Sequence, residues 1–337
     1  MLVVEPVIDA RLNRIFVTQT FARWHGGVAR EMYADAWLAA TGTLTAQESQ
    51  AIEVLRAALS SAEDDGCTLI RRLVRDDQAL VPAVRRATEV LAPRAARIAD
   101  GADPALRHWQ QYLGGTLPDW YDCIRAGIDR FFGVGGVHRL RVYLLPSAAG
   151  WTSGNGSMFV EQGATNVDCS GTPPDRPVPV LTTVLHEGLH SIYQAQLLDP
   201  IVEAVLATPC GQRLEALRRR SPLRMNLGSY VGELVIHALV PDGVLGERCR
   251  GASIADHWRR TLERGTGLLA TATSPGDVYA AWVMAGAARM VPVAARWIDQ
   301  GRTADEALVR EALGIFEATH QAWSAAQASG AAAAGAG

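Results

Sequence analysis

The chain has 337 residues, 48% of them hydrophobic and 20% charged, with a formal net charge of −3. That size and apolar content allow one large domain or two to three smaller units with buried cores. The slight negative charge leaves no basic field for nucleic acid. Every Lys-or-Arg position is arginine, which with the alanine excess reads as the coding bias of a GC-rich bacterial genome. The five cysteines, Cys67, Cys123, Cys169, Cys210 and Cys249, are scattered, odd in number and form no CxxC pair. This points to a reduced, cytoplasmic protein.

In chain order, MLVVEPVIDARLNRIF meets charged residues too early for a signal peptide. Residues 1–135 read as a helical N-terminal region. RLNRIFVTQTFARWH sets Leu12, Ile15, Phe16 and Phe21 on one apolar stripe. Thr45 followed by Glu48 is a capping-box start for an amphipathic helix. Helical periodicity then continues, with breaks expected at Pro82 and Pro93, and LPDWYDCIRAGIDRFF reads as another helix.

The texture changes near residue 136. RVYLLP (141–146) and SMFVEQ (157–162) are strand candidates separated by a GNG turn, with ATNVDCS as a third. A proline-rich approach leads into a helix at VPVLTTVLHEGLHSIYQAQLL. The chain is helical again from about residue 200. The apolar run VYAAWVMAGAARMVPVAA is interrupted by Arg289 and Pro292, which suits a buried helix better than a membrane span. The expected division is a helical region at 1–135, a catalytic core at 136–260, a helical region at 261–327 packed on that core, and a disordered low-complexity tail at 328–337.

His186 and His190 lie one helical turn apart, so both imidazoles project from one face and can grip one ion. Glu187 sits about a third of a turn away, where it can reach a water on that ion but not join its ligands. This is the mechanical content of HExxH: two ligands and one general base on a single helix. A catalytic zinc needs a third protein ligand and an open fourth position. A histidine six residues beyond the second one would serve, but Tyr193 and Gln196 occupy the relevant places. Glu233 in GSYVGELVIHALV is the better candidate. A carboxylate amid Val231, Leu234, Val235 and Leu239 needs a partner if buried, and a metal would be one; the competing account is that it pairs with an arginine or is simply exposed.

The HEGLH stretch, the strand region before it and the YVGELVIHAL helix after it resemble the gluzincin-type zincins, the thermolysin-like metallopeptidase group. The resemblance spans about residues 138–240. It implies an α+β fold, predominantly α-helical, with a zincin-like core: a small twisted sheet, an HExxH helix and a glutamate-bearing helix, flanked by helical regions. By position it assigns His186, His190 and Glu233 as ligands of Zn2+ and Glu187 as the base. The acid that often follows the glutamate ligand by one turn is His237 here, which suits a ligand, a supporting group or a transition-state donor.

On this reading a metal-activated water attacks a peptide or small amide substrate, with Glu187 as general base. Tyr230, one turn before Glu233, is the first candidate to donate to the oxyanion, with Tyr279 and His237 as rivals. Substrate would lie along the GNGSMFVEQ edge, within reach of Asn155 and Ser157. The same two histidines and carboxylate also suit Fe(II), giving a modifying enzyme instead of a hydrolase. Arg218, Arg219 and Arg220, with Arg224, form a solvated face or a receptor for a substrate carboxylate. GVGG at 133–136 precedes a strand and is a poor phosphate loop. Cys169 lacks the surroundings of a nucleophile. No nucleic-acid or membrane partner is expected.

Overall fold

Asp9 begins the first helix, its carboxylate accepting the amides of Arg11 at 2.9 Å and Leu12 at 3.0 Å. These are donors that a helix start otherwise leaves open. The computed structural model describes residues 2–22, 28–60, 81–154 and 163–334. Strand β1 (Leu2–Val7) precedes helices α1 (Ala10–Phe21), α2 (Val28–Thr41), α3 (Ala46–Ser60), α4 (Pro82–Leu113) and α5 (Asp119–Phe131). Strands β2 (His138–Leu145), β3 (Ser153–Gly154) and β4 (Ala164–Asp168) follow, then helix α6 (Val178–Gly188). A π-helical run, Leu189–Leu198, continues α6 directly. The rest is helical: α7 (Asp199–Leu206), α8 (Pro209–Arg218), α9 (Leu227–Leu239), α10 (Val244–Arg250), α11 (Ala255–Leu268), α12 (Pro275–Tyr279), α13 (Ala285–Asp299) and α14 (Glu306–Ala334). Of the described residues 70% are helical and 7% strand, with a small mixed sheet, which makes this a predominantly helical α+β chain.

Contacts divide the chain into two units. One contains Leu2–Leu117 and Arg139–Ser191; the other contains Pro118–His138 and the chain from Ile192 onward. The units interleave along the sequence, so the stretch 136–260, expected as one core, contributes to both.

In the first unit the sheet order is β1-β2-β4-β3, with β2 parallel to β4 and β3 antiparallel to it. β4 is buried along its whole length, as a strand covered on both faces must be. Leu12, Ile15, Phe16 and Phe21 of α1 join Trp37, Leu55, Leu91 and Leu145 in one apolar cluster. Tyr33 of α2 donates to Asp168 Oδ2 at 2.7 Å, tying that cluster to the end of β4. Strand β1 is absent from the sequence reading, since LVVEPV carries a glutamate and a proline at positions that hide its alternation. Pro82 opens α4, while Pro93 lies inside that 32-residue helix and does not end it. The strand candidate 157–162 and the contacts assigned to Asn155 and Ser157 lie outside the described residues, as does Cys67.

In the second unit α9 packs against α13 and α14, and α11 against α13. Leu234, Trp282, Met290, Val309 and Phe316 are fully buried there. The run Pro275–Asp299 is long and apolar enough to cross a membrane by length and composition. Within this unit Ala281, Trp282, Ala287 and Met290 are buried, and Arg289 donates to Thr319 Oγ1 at 2.8 Å. The alanine-rich end, expected to be disordered from 328, continues α14 to Ala334. Alanine is the strongest helix former. Cys123 of α5 and Cys249 of α10 form a disulfide across 126 residues of sequence, with Cα atoms 5.7 Å apart. This corrects the expectation of reduced thiols for that pair. The partners are too distant in sequence to be matched by spacing; α5 meets α10 where Gly127 leaves room for Leu245.

The capping box forms as its spacing requires. Glu48 N donates to Thr45 Oγ1 at 3.2 Å and Thr45 N donates to Glu48 Oε2 at 2.8 Å. Arg94, only 3% exposed, adds two bonds to the same carboxylate at 2.8 and 2.9 Å, and others to Thr41 Oγ1, Gly42 O and Thr43 O. The Arg94 hydrogen bond holds the Glu48 carboxyl at about 2, against an ordinary 4.5. The pair's contribution is therefore complete above pH 4.5 and is lost as pH falls through about 2. We expect unfolding free energy, measured in urea, to drop by roughly 3 kcal/mol over that window. Glu48→Gln should lose that part of the slope. Arg94→Ala should cost about 3–5 kcal/mol at neutral pH by leaving the carboxylate buried without its partner.

Candidate metal centre

The first cluster of chemically capable side chains lies on α6 and the turn that continues it. Val180, Leu181, Val184 and Leu185 are fully buried and fix one side of α6, which packs on β3 and β4. A Cβ on Gly188 would fall 2.9 Å from Leu140 Cδ2 and 3.2 Å from Leu2 Cδ2. A glycine there lets the helix seat against the sheet. Ser191 Oγ donates to the Ala164 carbonyl at 3.2 Å, pinning the start of the π-helical run to β4.

With the helix so fixed, His186 and His190 bring their Nε2 atoms to 3.1 Å. Two imidazole lone pairs cannot face each other at that distance; a shared proton or a shared cation must lie between them. Tetrahedral zinc with Zn–N bonds of 2.0–2.1 Å has ligand–ligand edges of about 3.3 Å, so the pair fits one edge of that polyhedron. Glu187 is 8% exposed. Its carboxylate lies against strand β3, where a Cβ on Gly154 would come within 2.8 Å of Oε1 and 2.5 Å of Cγ. Nothing in the residue pattern beyond the glycine turn itself points to this contact.

The second cluster belongs to the other unit. Asn226 caps α9 by accepting the Ser229 amide at 2.7 Å. Val231, Leu234, Val235, Ile236, Ala238 and Leu239 are fully buried. Glu233 and His237, one turn apart, share the partly open face. His237 Nε2 lies 3.3 Å from Glu233 Oε2, with side chains 16% and 20% exposed. Tyr279, at the end of α12, donates to Glu233 Oε2 at 3.1 Å, and its hydroxyl is 2.9 Å from His237 Nε2. A carboxylate oxygen, an imidazole nitrogen and a phenol thus converge on one another. A second π-helical segment, Ala280–Met284, begins right after Tyr279, and such segments recur at functional sites.

Tyr230 goes elsewhere. It is fully buried, donates to the Trp282 carbonyl at 3.3 Å and packs edge-on against Phe316. Burial pushes its phenol well above the ordinary range. Its spacing from Glu233 was legible in sequence, but the apolar surroundings that claim its ring were not. Cys169 is also buried, and burial together with the Asp168 charge raises its thiol well above 9.0, so it is no ready thiolate. Comparisons with protein-family models, curated proteins and solved structures return no match.

The crowding at Glu187 generates a test. Gly154→Ala should destabilise the protein by about 1–3 kcal/mol, as overpacking does. Adding Glu187→Ala to that variant should recover part of the loss, read as a coupling free energy in urea titrations.

Proposed function

We propose that the chain is a zinc-dependent metallohydrolase with a zincin-like core, cleaving a peptide or amide bond. His186, His190 and Glu233 would hold the ion. The observation that carries this reading is the 3.1 Å approach of the two Nε2 atoms on a helix that also presents the adjacent, nearly buried Glu187 carboxylate. The donor set fits: two neutral imidazoles and one carboxylate are a standard catalytic complement for zinc. Zinc bound there would bring the pKa of a coordinated water near neutrality and polarise a carbonyl.

Each side chain then has a defined task. Glu187 accepts the proton of the attacking water and passes it to the leaving nitrogen. Packing against Gly154 holds its carboxylate in one place. Tyr279, already hydrogen-bonded to Glu233 and His237, is better placed than Tyr230 to donate to the oxyanion. His237 keeps the phenol and the carboxylate in register, as groups that orient metal ligands do.

Metal analysis of protein purified without added metal should give about one zinc per chain; stoichiometric iron would favour the oxygen-dependent alternative. His186→Ala, His190→Ala and Glu233→Ala should each lose the ion while keeping the helical circular-dichroism signal. Glu187→Gln should retain it and lose about 10²–10⁴-fold in hydrolysis of a short-peptide library followed by mass spectrometry. Wild-type protein that binds no divalent metal at all would end this proposal.

A further inference from the structure

The second unit contains a cleft of about 850 Å³ that the hydrolytic machinery does not use. It lies among the π-helical run Leu189–Leu198, α7, α8 and the first turn of α9. The volume is that of a small-molecule site, which typically spans about 300–1,000 Å³, and it is too small for a folded protein segment. We propose that this cleft binds a short zwitterionic peptide, with its free carboxylate at Arg219 and Arg220 and its ammonium group at Asp199 and Glu203.

Val202, Leu206 and Leu227 supply apolar surface to the lining. Arg219 and Arg220, which follow α8, line the same cleft as Asp199 and Glu203 of α7. Glu215, also in the lining, is neutralised by Arg218 at 2.7 Å and approached by Arg219 at 3.7 Å. Among the described residues Arg220 and Glu203 form no ion pair. A cleft that carries charges of both signs beside apolar surface matches a ligand with an α-carboxylate, an α-ammonium group and apolar side chains. A purely anionic ligand would meet the two acids, and a purely cationic one the two arginines.

The cleft is lined in part by the first turn of the helix that carries Glu233. Ser229, in the lining, occupies the same stripe of α9 as Glu233 and His237, at successive one-turn steps. Gln194 reaches from the lining to the residue before Glu233: a Cβ on Gly232 would fall 2.3 Å from Gln194 Cδ. Gln194 Nε2 donates in turn to Asp199 Oδ1 at 3.1 Å. Gln194 therefore joins Asp199 of the lining to the Glu233 helix. As a substrate class for the hydrolase, the short peptide rests on the function proposed above; its binding in the cleft does not.

The test is calorimetric titration of the full-length, chelator-treated protein with the tripeptide Leu-Ala-Leu, its C-terminal amide and its N-acetyl form. The free tripeptide should bind, with each blocked form at least tenfold weaker. Arg219→Ala/Arg220→Ala should bind acid and amide alike. Glu203→Gln should lose the preference for a free amine. Equal binding of all three peptides to the wild type, or no binding of the free tripeptide, overturns the proposal. Zinc content measured on the same variants keeps the two readings apart. Tripeptide discrimination persisting in a protein that never binds metal would leave the cleft standing and remove the hydrolase. Stoichiometric zinc with indifferent peptide binding would do the reverse.

Discussion

Electron-pair donors crowded onto apolar helices need a hydrogen-bond proton or a cation between them. His186 and His190 place two nitrogens 3.1 Å apart, and Glu233 and His237 place an oxygen and a nitrogen 3.3 Å apart. Each pair sits on a helix whose other faces are buried among leucines and valines, so neither helix can rotate to relieve the approach. A ring N–H shared within such a pair satisfies it as a hydrogen bond. A divalent cation satisfies it with coordinate bonds and a fixed geometry. Gly188 seated against the sheet fixes the first pair, and within the other unit Tyr279 bonded to Glu233 fixes the second.

Much of the local architecture was legible because short-range rules governed it. The Thr45–Glu48 box, the stripe of α1 and the HExxH helix each depend on residues within a turn or two, and each lies where its spacing indicated. The failures share another cause. β1 is held by long-range pairing beside β2, not by a clean alternation of its own. Pro93 rides inside a long helix because α4 is secured by packing against α1 and α3, which outweighs the lost backbone bond. The Cys123–Cys249 bridge depends on which helices meet, and no spacing rule reaches across 126 residues.

The site shows the same split. The helix-borne trio His186, Glu187 and His190 could be read directly from period and chemistry. Tyr230 and Tyr279 could not be ranked from sequence, since both are tyrosines near apolar runs. What separates them is tertiary: one phenol is enclosed by Trp282 and Phe316, the other meets Glu233. The cleft beside α9 was invisible except through its arginines, because a cavity is defined by residues that fail to fill space. Gly154 and Gly232 carry the complementary lesson, each marking a place where another side chain occupies the volume a Cβ would take.

The π-helical run that carries His190 has a consequence for how this segment can vary. Its wider turns accommodate more residues per revolution than an α-helix, so ten residues accumulate an angular lag of roughly half a turn. Residues after Leu198 consequently face a direction that α-periodicity counted from His186 would misassign. Deleting one amino acid between 191 and 197 would change the winding by about 100° and so re-aim everything that follows the deletion. Side-chain replacements in this stretch are therefore local events, whereas a change of length by a single residue is a rotation of the downstream chain.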